Sequence, residues 1–104
     1  MPLKSDPSLK RLYNKYNRLY FEGSLPNAVV WWEPVASAYA NCTFEDDVWK
    51  IRINPALYGW TAAAKMALLH EMAHVKLHPD ASHSDTFNAE MLRLAVAGAF
   101  NGIW

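Results

Sequence analysis

Apolar positions recur along the chain with two periods, and the switches between them divide it into six elements. From about Pro7 to Glu22, Leu9, Leu12, Tyr16 and Leu19 fall at helical spacing, with Arg11, Lys15 and Arg18 on the opposite face. This predicts an amphipathic helix buried along the Leu9–Leu19 stripe. Asp6 is placed to cap it and Pro7 to begin it, while Gly23 can supply a left-handed end and Pro26 prevents the helix resuming. The pattern then changes. Ala28-Val29-Val30-Trp31-Trp32 is a continuous apolar run, short enough for a central strand. Ser37 to Phe44 alternates, with Ala38, Ala40, Cys42 and Phe44 on one side and Tyr39, Asn41 and Thr43 on the other. Val48 to Ile53 alternates again, with Trp49, Ile51 and Ile53 inward and Lys50 and Arg52 outward. The turn residues Glu45-Asp46-Asp47 between these two strands predict an antiparallel hairpin.

Helical spacing returns after Asn54-Pro55. Thr61 is expected to cap a long helix that runs to about His78, buries Met66, Leu69, Ala73 and Leu77, and is stopped by Pro79. A last helix, starting at Ser82 or Ser84, is expected to bury Phe87, Met91, Leu94 and Ala95. The order helix, three strands, helix, helix implies an α+β fold with a small antiparallel sheet covered by helices. Its 104 residues suit one domain.

Composition narrows the function classes. The chain is 52 % hydrophobic and 19 % charged, which is globular rather than disordered. Five Trp and five Tyr point to an aromatic core or an apolar groove. A net charge of zero gives no overall pull toward nucleic acid or an anionic membrane. The single Cys42 excludes a disulfide framework and a Cys-rich zinc ribbon. No apolar segment at the N-terminus suggests a signal peptide, and no run approaches a membrane span, so a cytoplasmic protein is expected.

The chemistry concentrates in His70-Glu71-Met72-Ala73-His74, an H-E-x-x-H motif inside the best-patterned helix. Two imidazoles four residues apart project from one helix face and can bind one metal ion. Glu71, displaced toward the same side, can reach a metal-bound water without being a ligand. Zinc would lower the pKa of that water toward ~7, and the carboxylate would take its proton during attack on a peptide carbonyl. The competing reading, two surface histidines that happen to fall at this spacing, is much the rarer outcome for this motif on a helix.

Zinc needs a third protein ligand and an open fourth position. His78 lies two turns beyond His70, about 12 Å along the axis, too far to share an ion. It is better explained as a helix C-terminal residue. His83 follows a stretch that lets the chain turn back, and Glu90 lies inside the last helix. Spacing alone leaves both open and leans toward His83.

At this point the sequence resembles the SprT-like metallopeptidases, the family that includes the Spartan proteases. Tyr20-Phe21-Glu22-Gly23-Ser24-Leu25-Pro26 is similar to the segment that closes the family's opening helix. Ile51-Arg52-Ile53-Asn54-Pro55 is similar to the strand leading to the active-site helix, and Leu68-Leu69-His70-Glu71-Met72-Ala73-His74 to that helix. Ser82-His83-Ser84-Asp85-Thr86-Phe87 resembles the family's G-H-G-x-x-F, whose histidine is the third zinc ligand, although serines here replace the flanking glycines. The resemblance implies a compact zincin-like domain, with Glu71 catalytic and His70, His74 and His83 holding Zn2+. It also implies cleavage of flexible or unfolded protein. A DNA-directed role is only weakly implied, because no DNA-binding appendage is visible in the sequence.

Several smaller features have plainer explanations. Arg11, Lys15 and Arg18 could meet phosphate but read more simply as a solvated helix face. Cys42 reads as a buried core thiol and Trp31-Trp32 as core. Tyr39 and Tyr58 are candidate donors to a transition-state oxyanion, with no motif behind either. The strand over Ala38–Thr43 carries no charge and no proline to block pairing, so the backbone of Tyr39, Ala40 and Asn41 is expected to bind peptide as an added strand. The alternative to an enzyme is a zinc-stabilised protein- or DNA-binding module. Glu71 argues against it, since a structural site has no use for that carboxylate. The sequence is silent on oligomeric state.

Overall fold

The computed structural model describes residues 7–36, 38–79 and 82–101. Helix α1 spans Pro7–Tyr20 and is followed by strands β1 (Ala28–Trp32), β2 (Ala40–Glu45) and β3 (Val48–Ile53). A short 3-10 turn, Pro55–Leu57, leads to α2 (Thr61–Leu77) and then α3 (Asp85–Val96). The expected cap Asp6 and the expected strand start Ser37 lie outside the described residues.

The α1 stripe is rotated from the expected one. Leu9, Tyr13 and Tyr16 are buried and Leu12 half-buried, whereas Leu19 is 52 % exposed. At about 100° per residue, Leu19 lies ~80° off the line through 9, 13, 16 and 20, so it cannot share their face. Tyr13 is 1 % exposed because its hydroxyl finds a partner, donating to the Pro26 carbonyl at 2.6 Å. The helix ends two residues early, with Glu22 and Gly23 both at positive φ (56° and 70°). Gly23 carries that conformation without a side-chain penalty.

The sheet is mixed, not antiparallel throughout, and its order is β1-β3-β2. The β2–β3 hairpin forms as expected, with Asp46 and Asp47 at φ 53° and 62° in the two-residue turn. The correction concerns β1. It runs parallel to β3, from Ala28 opposite Trp49 to Trp32 opposite Ile53, and lies at an edge. Its unbroken apolar run has another cause than a central position. Ala28 and Val30 are buried inward, while outward Trp31 lies beneath the Arg52 guanidinium, 5.0 Å from the ring centroid, and donates to Glu33 at 2.8 Å.

Helix α2 packs against β2 and β3, and α3 packs on α2. Val30, Ile51, Ile53, Leu68, Leu69, Met72 and Leu94 form a fully buried centre. Trp60, not Thr61, occupies the α2 N-cap, and its side chain makes no capping bond. In α3, Phe87 and Leu94 are buried and Met91 is half-buried, but Ala95 is exposed and the buried residue on that face is Glu90. No helix among the described residues is long and apolar enough to cross a membrane.

Candidate metal centre

Helix α2 presents His70 and His74 one turn apart on the face that the core leaves free. After Leu77 the backbone leaves the helix at His78 (ψ 135°), and the chain turns so that His83 comes back over that face just before α3. The three Nε2 atoms form a nearly equilateral triangle. His70 is 3.1 Å from His83, and His74 is 3.2 Å from each of the other two. A neutral imidazole offers one lone pair, so three such atoms facing one another make a donor set for a cation. A point about 2.05 Å from all three sees them at ~100°, within the bond lengths and near the angle of tetrahedral coordination. The three histidines could therefore hold a metal ion. Burial, then the charges of His74 and His83, push His70 down to about 4, which keeps its ring in the neutral, ligating form.

A single aromatic ring touches all three imidazoles. Phe87 stacks on His74 at 4.5 Å and 24°, and meets His70 and His83 at 4.9 Å each, tilted and edge-on. Its helical spacing marked it for the core. The signal for its second task was its place four residues after His83, on the next turn of chain.

The remaining candidates are sorted by geometry. Glu71 is 6 % exposed and lines the same cleft, with its carboxyl raised to about 7, chiefly by burial and against a hydrogen bond from Cys42. Cys42 is half-buried and also faces the cleft, so it is not the enclosed core thiol expected. Its Sγ lies 3.8 Å from the Glu71 carbonyl, and burial pushes the thiol up to about 12. His78 packs edge-on against Trp49 at 4.9 Å. Glu90 is engaged elsewhere: it accepts from Lys76 Nζ at 2.8 Å and from Arg93 at 2.6 and 2.9 Å. Tyr39 lines the cleft, whereas Tyr58 packs against Trp32 at 5.3 Å and is not among the lining residues. Arg11, Lys15 and Arg18 are exposed.

The cleft measures about 1000 Å³ and runs between α2 and the β2 edge. Among the described residues, β2 pairs only with β3. The Asn54 N–H donates to the Tyr39 carbonyl at 2.8 Å, which sets the phase of the ladder. By alternation, Tyr39, Asn41 and Thr43 direct their backbone groups to β3, and Ala40, Cys42 and Phe44 direct theirs outward. Of Tyr39, Ala40 and Asn41, all cleft-lining, only Ala40 thus presents its backbone to the open side. Asn54 also fixes the approach to this edge. Its Nδ2 donates to the Ala38 and Val35 carbonyls at 3.2 and 3.3 Å, and its Oδ1 accepts from Ala56 N at 3.0 Å. Sequence reasoning gave Asn54 no role, although Asn before Pro is a recognisable capping signal.

A solved structure of similar fold is the crystal structure of the metallopeptidase zymogen abylysin of Pyrococcus abyssi. It superposes with a TM-score of 0.66 at 21 % identity, over 91 % of this chain and 87 % of that one. At that identity the likeness establishes a metallopeptidase-like fold. No curated protein sequence matches the chain significantly. The SprT-like family profile matches residues 9–102, from the first buried leucine of α1 past the end of α3. The match takes in the histidine triangle, Glu71 and the β2 edge, and the chain belongs to the SprT-like family.

Proposed function

We propose that this protein is a zinc-dependent endopeptidase that cuts flexible or unfolded polypeptide. The observation that carries the proposal is the triangle of three imidazole nitrogens beside a buried carboxyl, in a cleft bordered by an open strand edge. His70, His74 and His83 would hold the zinc and leave a position open toward the cleft. When bound, zinc supplies Lewis acidity, polarising the scissile carbonyl and making water acidic near neutral pH. Glu71 then serves as general base, accepting the proton of the attacking water. It returns that proton to the amine as the peptide bond breaks. A carboxyl that burial has raised toward neutrality suits both transfers.

The peptide would lie as a fourth strand along β2. The outward N–H and C=O groups of Ala40, and those of Cys42 and Phe44 further along, would bond its backbone. Main-chain pairing demands an extended segment, which favours unfolded protein over folded domains. Protein or peptide is the partner this site fits; the zero net charge gives nucleic acid little support.

The test is Glu71→Gln. Cleavage of an unfolded protein should fall by ~10²–10⁴-fold, with one zinc per chain retained by elemental analysis. Undiminished cleavage would remove Glu71 from the mechanism. Parental zinc content with no cleavage by either protein would leave a metal-binding module.

A further inference from the structure

Among the described residues two carboxyl groups are buried, Glu71 and Glu90, and they are held in opposite ways. Glu90 is gripped by two cations, Lys76 and Arg93. No such cation pairs with Glu71: the salt bridges among the described residues all lie elsewhere. Its carboxyl takes a hydrogen bond from the Cys42 side chain instead. Cys42 belongs to the row of β2 side chains that faces α2. Two residues further on, Phe44 meets His78 at the end of α2, and Cys42 falls at the level of Glu71. Its Sγ also lies 3.8 Å from the Glu71 main-chain carbonyl, so one thiol faces two acceptors of the same residue. Both residues line the cleft beside His70 and His74.

From this we infer that Cys42 is a positioning residue for the general base: its S–H donates to the Glu71 carboxylate and fixes where that carboxylate points. The inference rests on the peptidase reading of the site. The kind of donor matches what a base needs. A Lys or Arg beside Glu71 would hold it as firmly, but would favour the charged form and weaken it as a proton acceptor. A thiol is neutral and a weak donor, so it orients the carboxylate and leaves most of its basicity. Burial pushes the thiol up to about 12, so the hydrogen stays on sulfur through the neutral range. The second acceptor has a use as well. Once Glu71 holds the proton of the water, the S–H can turn to the Glu71 carbonyl, and no proton leaves sulfur. The main chain of Cys42 faces the open edge of β2. One residue would thus pair with substrate through its backbone and hold the base through its side chain, and changing the side chain separates the two tasks.

The experiment compares the zinc-loaded parent with Cys42→Ala, Cys42→Val and Cys42→Ser in cleavage of a labelled unfolded protein. The Ala and Val variants, one smaller and one larger than the parent side chain, both lack a donor. Each should lower kcat ~5–10-fold, with KM and zinc content close to parental. Cys42→Ser, which restores a donor, should recover most of the loss. A second measurement needs neither metal nor turnover. In urea unfolding of chelator-treated proteins at about pH 8, Cys42→Ala should cost the parent ~2–10-fold more in folding equilibrium constant than it costs the Glu71→Gln protein. Parental kcat in the Ala and Val variants, a loss confined to KM, or equal losses in Ser and Ala would overturn the positioning role. So would equal folding costs in the two backgrounds. A parent that cleaves nothing while the folding coupling holds would sink the peptidase reading and keep the contact; cleavage with additive folding costs would do the reverse.

Discussion

Removing the charge of Glu71 should stabilise the metal-free protein while abolishing activity. Glu71 is 6 % exposed on α2, and burial raises its carboxyl from 4.5 to about 7. A carboxyl whose folded pKa lies above its unfolded one supports the fold fully only below the unfolded value. That support is lost as pH rises toward the folded value, here between about 4.5 and about 7. At ~1.4 kcal/mol per pKa unit, the ionised form costs the fold ~3 kcal/mol at pH 8 and less than ~1 kcal/mol at pH 5. Glu71→Gln keeps the volume and removes the charge. It should therefore raise stability by ~2–3 kcal/mol at pH 8, or on the order of 10 °C in Tm for a domain this size. At pH 5 the gain should nearly vanish. His70, depressed to about 4, works in the opposite sense, losing stability as pH falls below 6.5. Its contribution is common to both proteins and cancels in their difference. The assay is urea unfolding of chelator-treated parent and variant at the two pH values. A gain of equal size at both, or none at pH 8, would refute the argument that a buried carboxylate strains this helix.

Four further outcomes follow from the same geometry. Phe87→Leu should fold yet bind zinc ~10–100-fold more weakly in chelator competition, because the ring that orders three imidazoles is gone; unchanged affinity would make Phe87 mere core. His83→Ala should lose tight zinc binding, whereas Glu90→Ala should keep it and unfold more readily in urea, and the reverse pattern would exchange their roles. Saturating zinc at ~1,000 times its Kd should stabilise the fold by ~4 kcal/mol, so chelation should lower the thermal midpoint; no shift with zinc loss verified would deny the linkage. Ala40→Pro removes an outward N–H without breaking the ladder to β3, so the variant should fold, bind zinc and cleave slowly; parental rates would rule out pairing at that residue.

What the sequence made legible is what local pattern controls. Period and punctuation placed the six elements, and the turn at Asp46-Asp47 specified the hairpin, because such signals act within a few residues. The parallel pairing of β1 with β3 joins residues 21 apart, and nothing in either strand encodes a neighbour. The apolar run of β1 misled because Arg52, from another strand, covers Trp31. Glu90 shows the same limit. A carboxylate at a core position looks like an error until Lys76 and Arg93 are seen around it. Those partners hold its carboxyl below the usual range despite the opposing effect of burial. Metal-ligand spacing was readable for His70 and His74, which one helix fixes. His83 needed either the family resemblance or the fold.

The serines around His83 then find an explanation. The family motif resembled by this segment has glycines there, which would suggest a backbone that only glycine adopts. Ser84 instead sits at φ −79° and ψ −178°, ordinary extended backbone. Ser84 therefore does not position the histidine by strained local geometry. Helix α3 positions it instead. Glu90 grips Lys76 on α2 and Arg93 on its own helix, and Arg93 Nη2 reaches the Tyr20 carbonyl at the end of α1, 2.9 Å away. One turn N-terminal to Glu90, Phe87 lies against the imidazoles, and four residues before Phe87 stands His83. His83, the candidate third ligand, is thus held by the docking of α3 on α2 and α1. This is why a change of residue type beside the ligand can leave the nitrogen triangle intact.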